Sequence, residues 1–223
     1  MKKLYHYPLD AFGRIVRIYL SEKGEEFEAI EEFPWERKEI FSEKHFLSDL
    51  PTLVERDRTV IESAPAIISY CEQTSRSKIS LQGNSFSSKA EIQRLCSLFN
   101  ISFFAEVTNH IVFEKIMKKH LEKTYPDSSM IRAGIRSLPK YLEYIAWLTD
   151  RRNWLAGEEF SLADISAAAH ISCLDYLASI EWENYPEAKN WYVRVKSRPS
   201  FREILKDRVG DAAPPAYYSD LDF

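Results

Sequence analysis

The segment "WLAGEEFSLADISAAAH", residues 154–170, constrains the fold more than any other part of the chain. Ser161 is a typical helix N-cap, and Asp164 lies three residues later, where its carboxylate reaches back to the cap in a capping box. The residues that follow, as far as Ile171, are rich in alanine and apolar side chains, which is typical of a helix buried on all sides. Such a helix needs other helices around it, so this half of the chain is predicted to form a helical domain. The pattern favours a structural role for Asp164 over a catalytic one.

The first 75 residues show a different pattern. A strand pattern ends at Pro8, a helix is predicted between an acidic cap at Asp10 and Gly24, and three strand patterns precede a second helix that begins at Ser63. The serine-rich stretch "TSRSKISLQGNSFSS" then reads as a linker, and spaced apolar residues predict helices from Lys89 onward. These patterns predict an α/β domain over residues 1–80, an all-α domain over 81–207 and an extended acidic and aromatic tail over 208–223.

Composition limits the classes of protein to be considered. Of the 223 residues, 45% are hydrophobic and 29% are charged, and the net charge of −4 comes from interspersed acids and bases, so neither nucleic acid nor a membrane surface is expected as a partner. No apolar run of membrane-spanning or signal-peptide length is seen, which predicts a cytoplasmic protein without a membrane span. Cys71, Cys96 and Cys173 are odd in number and scattered, which favours buried reduced thiols over disulfides, a metal site or a catalytic thiol.

Three segments carry a resemblance to the glutathione S-transferase superfamily: "LPTLVERDRTVIESAPAIISY", "WLAGEEFSLADISAAAH" and "YPEAKNWYVRVKSRPSF". The resemblance covers residues 3–205 and implies a thioredoxin-like N-terminal domain, an all-α C-terminal domain and a homodimer. It also implies a cis bond at Pro51. In the family, the residues matching Glu62 and Ser63 hold the γ-glutamyl end of glutathione, and the backbone matching Leu50 pairs with its cysteinyl part.

Ser63 has two interpretations. A helix N-terminus presents free N–H groups that favour an anion such as the γ-glutamyl carboxylate, which fits a retained glutathione site. Alternatively, Ser63 only caps the helix and Glu62 only points to solvent. Folds keep such caps after losing a ligand, so both interpretations stay open.

The position that activates glutathione departs from the family pattern. Family members with a serine or cysteine activator have a sequence like Ser-x-x-x-Arg-x-Val-Arg at the start of the first helix. When that pattern is aligned with "DAFGRIVR", Asp10 takes the position of the activating hydroxyl or thiol. A carboxylate there repels a thiolate and cancels part of the helix-terminus field, so Asp10 is predicted to be a cap. Tyr7 is a weak alternative activator and otherwise packs as an aromatic residue. Conjugation is therefore not expected, and no cofactor is required, although glutathione remains possible as a ligand or substrate.

The chain ends in "GDAAPPAYYSDLDF". Two prolines make a stiff spacer, and beyond them apolar anchors alternate with acids, a combination suited either to docking back on the helical domain or to binding a partner. The predicted contact set is Tyr217, Tyr218, Asp220, Leu221, Asp222 and Phe223.

The start of the chain, the loop "FPWERK" and the tail together resemble a branch of the superfamily that binds the tubulin-like protein FtsZ in bacterial cell division. The resemblance implies FtsZ filaments as the partner, recruitment to midcell and no glutathione chemistry. A homodimer presents two tails, so its binding to a filament would gain from avidity. Trp35, in that loop, is either a second contact or packs the loop. The alternative function is a glutathione-dependent transferase that conjugates glutathione to an electrophile.

Overall fold

The structure is a computed structural model that describes residues 1–36, 50–210 and 212–221. The chain divides into two compact units, residues 1–79 and 80–223. The described residues of the segment 208–223, predicted as a separate tail, belong to the second unit.

The first unit contains a four-stranded mixed sheet. Its strands are β1 (Lys2–His6), β2 (Phe27–Glu31), β3 (Thr52–Val54) and β4 (Val60–Glu62), in the spatial order β2-β1-β3-β4. The strands β1 and β2 are parallel, whereas β3 is antiparallel to both β1 and β4. Within residues 1–36 and 50–79, the predicted order of strands and helices is confirmed.

The described residues of this unit also form two helices. Helix α1 (Ala11–Glu22) begins after Asp10 and ends before Gly24, whose positive φ of 69° suits the end of a helix. Helix α2 (Ala64–Thr74) packs against α1, and the Tyr19 hydroxyl donates to Glu72 across that contact. Burying the apolar faces of both helices gives the unit a core of its own.

A 36-residue helix, α3 (Phe86–Leu121), opens the second unit. It begins in a capping box between Ser85 and Ser88, and it is π-helical over Leu98–Thr108 and Phe113–Met117. By length and composition alone α3 could cross a membrane, but many core helices of soluble proteins share that composition. Here α3 packs within the helical unit.

Four further helices lie in the described part of the second unit, and one of them is buried along its whole length. They are α4 (Ser128–Thr149), α5 (Leu162–Tyr176), α6 (Pro186–Lys196) and α7 (Arg202–Leu205), with 3₁₀ turns at Trp182–Asn184, Pro199–Phe201 and Ala216–Ser219. Every residue of α5 is buried, as its alanine-rich sequence predicts.

The predicted capping box at the start of α5 is present. The Asp164 carboxylate accepts hydrogen bonds from the backbone amides of Leu155 and Ser161 and from the indole of Trp191, at 3.0–3.1 Å. Asp164 therefore joins the preceding loop, α5 and α6, which confirms its structural role.

Candidate functional site

The sheet register gathers three chain segments at one end of the first unit. Tyr5 pairs with Thr52, and Thr52 pairs with Glu62, so these residues form one row across β1, β3 and β4. Because β3 is antiparallel to its two neighbours, the chain after β1, before β3 and after β4 leaves the sheet at the same end. Those segments carry the activator position Asp10, the alternative activator Tyr7, and Leu50, Pro51 and Ser63 of the predicted glutathione site. Glu62, the fourth residue of that site, lies at the end of β4 in the same row.

Asp10 is the N-cap of α1, as predicted. Its Oδ2 accepts a hydrogen bond from the Gly13 amide at 2.6 Å, and its backbone N–H donates to the Tyr7 carbonyl at 3.1 Å. Burial raises the pKa of the Asp10 carboxyl to about 6, although amide hydrogen bonds from Gly13 and Phe12 and the nearby Arg14 charge favour the ionised form. At neutral pH Asp10 therefore carries a negative charge at the N-terminus of α1. An anion or a thiolate would need the positive field of that terminus, and the carboxylate opposes its binding there.

Tyr7 lies in an aromatic cluster with Phe33 and Trp35. Its ring is 1% exposed and makes edge contacts with both, at centroid distances of 5.9 Å and 5.4 Å. This packing does not favour Tyr7 as an activator, because the ring is largely sealed from solvent. Trp35 is half-buried in the same cluster, which favours the alternative in which it packs the loop. The residues of "FPWERK" beyond Glu36 lie outside the described part of the chain.

The segment that matches the γ-glutamyl site is held by its backbone. The Leu50–Pro51 peptide bond is cis, as the resemblance implied, and the Ser63 amide donates to the Pro51 carbonyl at 3.1 Å. Ser63 occupies the N-cap of α2, but its side chain makes no capping hydrogen bond, so the capping interpretation is wrong for the hydroxyl. Instead Ser63 is exposed and has φ 71° and ψ 142°, a conformation that costs a non-glycine residue free energy. Glu62 is half-buried at the end of β4.

The three cysteines are free and buried, as predicted. Burial raises the pKa of the Cys71 and Cys96 thiols to about 11, which favours the unreactive thiol form at neutral pH. Across the described ranges 1–36, 50–210 and 212–221, no group of three or more His, Cys, Asp or Glu side chains is arranged to hold a metal ion.

The C-terminal residues form the second candidate region. After α7, the Tyr176 hydroxyl of α5 accepts from the Val209 amide at 2.9 Å and donates to the Ala212 carbonyl at 2.6 Å. The two prolines then lead into the 3₁₀ turn Ala216–Ser219. We call residues 216–221 the C-terminal segment. The prediction of an extended tail is therefore wrong for residues 216–219, because they form a helical turn. Tyr176 also holds the chain that leads into this turn against the helical unit.

Tyr218 anchors the C-terminal segment to its own unit. Its ring is 0% exposed and meets the Tyr176 ring edge-on at 5.2 Å, and its hydroxyl donates to the Ile204 carbonyl at 3.4 Å. The prediction that Tyr218 contacts a partner needs correction, because in this structure a buried ring has no face left for one. Self-docking, one of the two alternatives for the tail, applies to this residue.

A buried ion pair supports the same segment. Lys196, the last residue of α6, donates from Nζ to the Tyr217 carbonyl at 3.2 Å and lies 3.8 Å from the Asp175 carboxylate. Burial lowers the pKa of Lys196 to about 8, although the charges of Asp175 and Asp220 oppose the shift. Sequence reasoning missed Lys196, because a lysine at the end of an amphipathic helix usually points to solvent. The apolar neighbours in "WYVRVK" were the available signal.

The remaining predicted contact residues differ in exposure. Asp220 is exposed, whereas Tyr217 and Leu221 are half-buried. Asp222 and Phe223 lie outside the described part of the chain. Burial raises the pKa of the Tyr217 hydroxyl to about 12, with the charges of Asp175 and Glu183 acting in the same direction.

Two family descriptions match the chain, and they correspond to the two units. The glutathione S-transferase N-terminal domain matches residues 4–78, and the glutathione S-transferase C-terminal domain matches residues 108–199. Both fold expectations, a thioredoxin-like sheet domain and an all-α domain, are confirmed.

Full-length relatives extend the similarity to the whole chain. FtsZ-localized protein A of Caulobacter vibrioides is 39% identical over 225 aligned residues, which cover 100% of this chain and 98% of the relative. The solved structure of FzlA from C. crescentus superposes with a TM-score of 0.94 at 39% identity, covering 100% and 99% of the two chains. A glutathione S-transferase from Rhodospirillum rubrum F11 superposes with a TM-score of 0.96 at 43% identity, covering both chains completely. The chain therefore belongs to the glutathione S-transferase superfamily and is closely related to FtsZ-localized protein A.

Proposed function

We propose that this protein binds FtsZ filaments in bacterial cell division and does not catalyse glutathione transfer. The observation that carries the proposal is the 39% identity with FtsZ-localized protein A along the whole chain. A similarity confined to the two transferase domains would imply only the fold, because one fold serves many functions. Here the aligned region also includes the C-terminal residues, which the two domain descriptions leave out.

The geometry around α1 supports the non-catalytic part of the proposal. A transferase must favour the thiolate form of glutathione, whose unperturbed thiol pKa lies near 8.5, with a donor or a positive field. Asp10 supplies neither at neutral pH, because its carboxylate accepts the Gly13 amide and carries negative charge. The buried ring of Tyr7 is poorly placed to replace it.

The C-terminal segment supplies the proposed contact with FtsZ. Asp220 is exposed and Leu221 is partly exposed, which combines an acid that steers association with an apolar group that gains from burial. Asp222 and Phe223 would continue that contact. We place the protein in the cytoplasm, recruited to midcell by FtsZ, as a homodimer whose two segments bind one filament with avidity.

Co-sedimentation with polymerised FtsZ tests the proposal. The full chain pellets with filaments, whereas a chain truncated after Tyr218 keeps the buried anchor and stays in the supernatant. Charge reversal at Asp220 lowers the pelleted fraction. The matched control is Glu143→Lys, which reverses an exposed acid on α4 and leaves pelleting unchanged. Failure of the full chain to pellet overturns the proposed function, and unchanged pelleting of the truncated chain removes the C-terminal segment from it.

A glutathione-dependent transferase is the second candidate. The exposed Ser63, its backbone hydrogen bond to Pro51 and the N-terminus of α2 support this candidate, since together they offer donors for the γ-glutamyl group. Calorimetric titration with millimolar glutathione separates the candidates. A saturable heat that disappears in Ser63→Ala supports a retained site, and the absence of heat at that concentration removes the candidate.

A further inference from the structure

The C-terminal segment is fixed at two adjacent residues. The carbonyl of Tyr217 accepts the Lys196 ammonium, and the ring of Tyr218 fills a buried site against Tyr176. Fixing one carbonyl and the next side chain defines both the position and the direction of the backbone at this point, since two successive residues leave little rotational freedom. The Asp220 amide then donates to the Tyr217 carbonyl at 3.0 Å, which carries the fixed direction onward.

The anchor itself is rigid. Asp175, which neutralises Lys196, also accepts hydrogen bonds from the Trp182 indole at 2.8 Å and the Tyr192 hydroxyl at 3.2 Å. The Lys196 ammonium lies 5.8 Å from the centroids of both the Tyr192 and the Tyr218 rings, within the range of a cation–π contact. Apart from Tyr218 itself, each of these groups comes from α5, α6 or the turn between them, so the support is part of the folded core.

We infer that Lys196 and Tyr218 are positioning residues that present Asp220 and Leu221 to the partner in a preset direction. The inference rests on the proposed function, since the partner is the FtsZ filament. A segment that is already ordered loses less conformational entropy on binding than a free tail does, and this saving appears as affinity. Tyr218 thus contributes to recognition without contacting the partner.

A spin label reports the docking independently of FtsZ. Ser219 is exposed and follows the anchor directly, so Ser219→Cys provides an attachment site, and the three native thiols are buried. In an otherwise unchanged chain the label is immobilised. It becomes mobile when Tyr218→Ala empties the buried site or Lys196→Met removes the ammonium, and Tyr218→Phe, which keeps the ring, restores the immobile spectrum.

Affinity for FtsZ filaments is the second measurement. Tyr218→Ala weakens binding by about tenfold or more, towards the level of the chain truncated after Tyr218, and Tyr218→Phe stays close to the unchanged protein. Tyr141→Ala is the matched control: it removes a buried tyrosine that packs on Phe103 in the same unit, so it lowers stability without changing the affinity or the label.

The outcomes separate the two proposals. No FtsZ binding by the unchanged protein overturns the proposed function, and with it any role of the anchor in recognition. An immobile label in Tyr218→Ala, or a mobile label combined with unchanged affinity, overturns the inference and leaves the proposed function standing.

Discussion

The Lys196 ammonium lies 3.8 Å from the Asp175 carboxylate, and neither side chain is exposed to solvent. A buried ion pair is strongly destabilised when one member is removed, because the other charge stays in a medium of low dielectric constant. The pair is therefore a sensitive place to perturb the helical unit and its C-terminal segment together.

Lys196→Met is expected to lower the free energy of unfolding by about 3 kcal/mol, the lower end of the range for breaking a buried pair, because Trp182 and Tyr192 still donate to Asp175. Urea denaturation at neutral pH measures the loss. The double variant with Asp175→Asn regains part of the stability, since it removes the uncompensated charge. A loss below about 0.5 kcal/mol in the single variant would contradict a charged pair at this site.

His170 makes the stability of the second unit depend on pH. Its Nδ1 lies 3.1 Å from the Thr108 hydroxyl and its Nε2 lies 3.2 Å from the Asn100 side-chain oxygen, and burial lowers its pKa from 6.5 to about 3. Because the unfolded chain takes up the proton first, this contribution is complete above pH 6.5 and is lost as the pH falls from there towards 3.

The expected loss from His170 between pH 7 and pH 5 is about 2 kcal/mol. His170→Gln keeps hydrogen-bonding groups but does not titrate, so the difference between the two proteins isolates the histidine. Unfolding free energies at the two pH values give the measurement, and equal slopes for both proteins would refute the neutral buried imidazole.

Ser63 gives a prediction about backbone conformation. Its φ of 71° with ψ of 142° is a region used almost only by glycine, so Ser63→Gly is expected to stabilise the protein by about 1 kcal/mol. Ser63→Ala should change stability by less than about 0.5 kcal/mol, because no capping bond is lost, whereas an ordinary N-cap serine costs about 1 kcal/mol on the same change. Thermal unfolding of the two variants tests both statements.

The ionised Asp10 carboxylate is expected to oppose folding at pH values above the pKa of this group. The pKa of its carboxyl rises from 3.8 to about 6 on folding, so its contribution to stability falls as the pH increases through this interval. Asp10→Asn keeps a capping residue and removes the charge, and it should stabilise the protein by about 1 kcal/mol at pH 8 and by much less at pH 4. The free energies of unfolding of both proteins at pH 8 and pH 4 give the measurement. A well-solvated carboxylate would give the opposite order, with the larger stabilisation by Asp10→Asn at pH 4.

Sequence patterns predicted the fold because each one reports a local requirement. The run of alanine and apolar residues between Ser161 and Ile171 has no polar face, so only a central helix accommodates it, and Asp10 and Asp164 are short polar residues at helix starts. The docking of Tyr218 was left open, because it depends on groups 14 to 42 positions away, such as Ile204 and Tyr176, and no local pattern encodes such a contact. The Ser63 hydroxyl was misassigned for a related reason: a residue type marks a cap position, but the backbone angles decide whether the bond forms.

The position of its cover in the chain gives the buried Lys196 a further significance. The 3₁₀ turn Ala216–Ser219 that covers this lysine follows the helices beneath it in the sequence, so it is synthesised after them. A nascent helical unit therefore leaves the lysine uncovered until residues 216–219 have been added. A chain that stops before this turn lacks both the cover of Lys196 and the exposed acid Asp220, so such incomplete molecules cannot compete with intact ones for a partner that binds this segment.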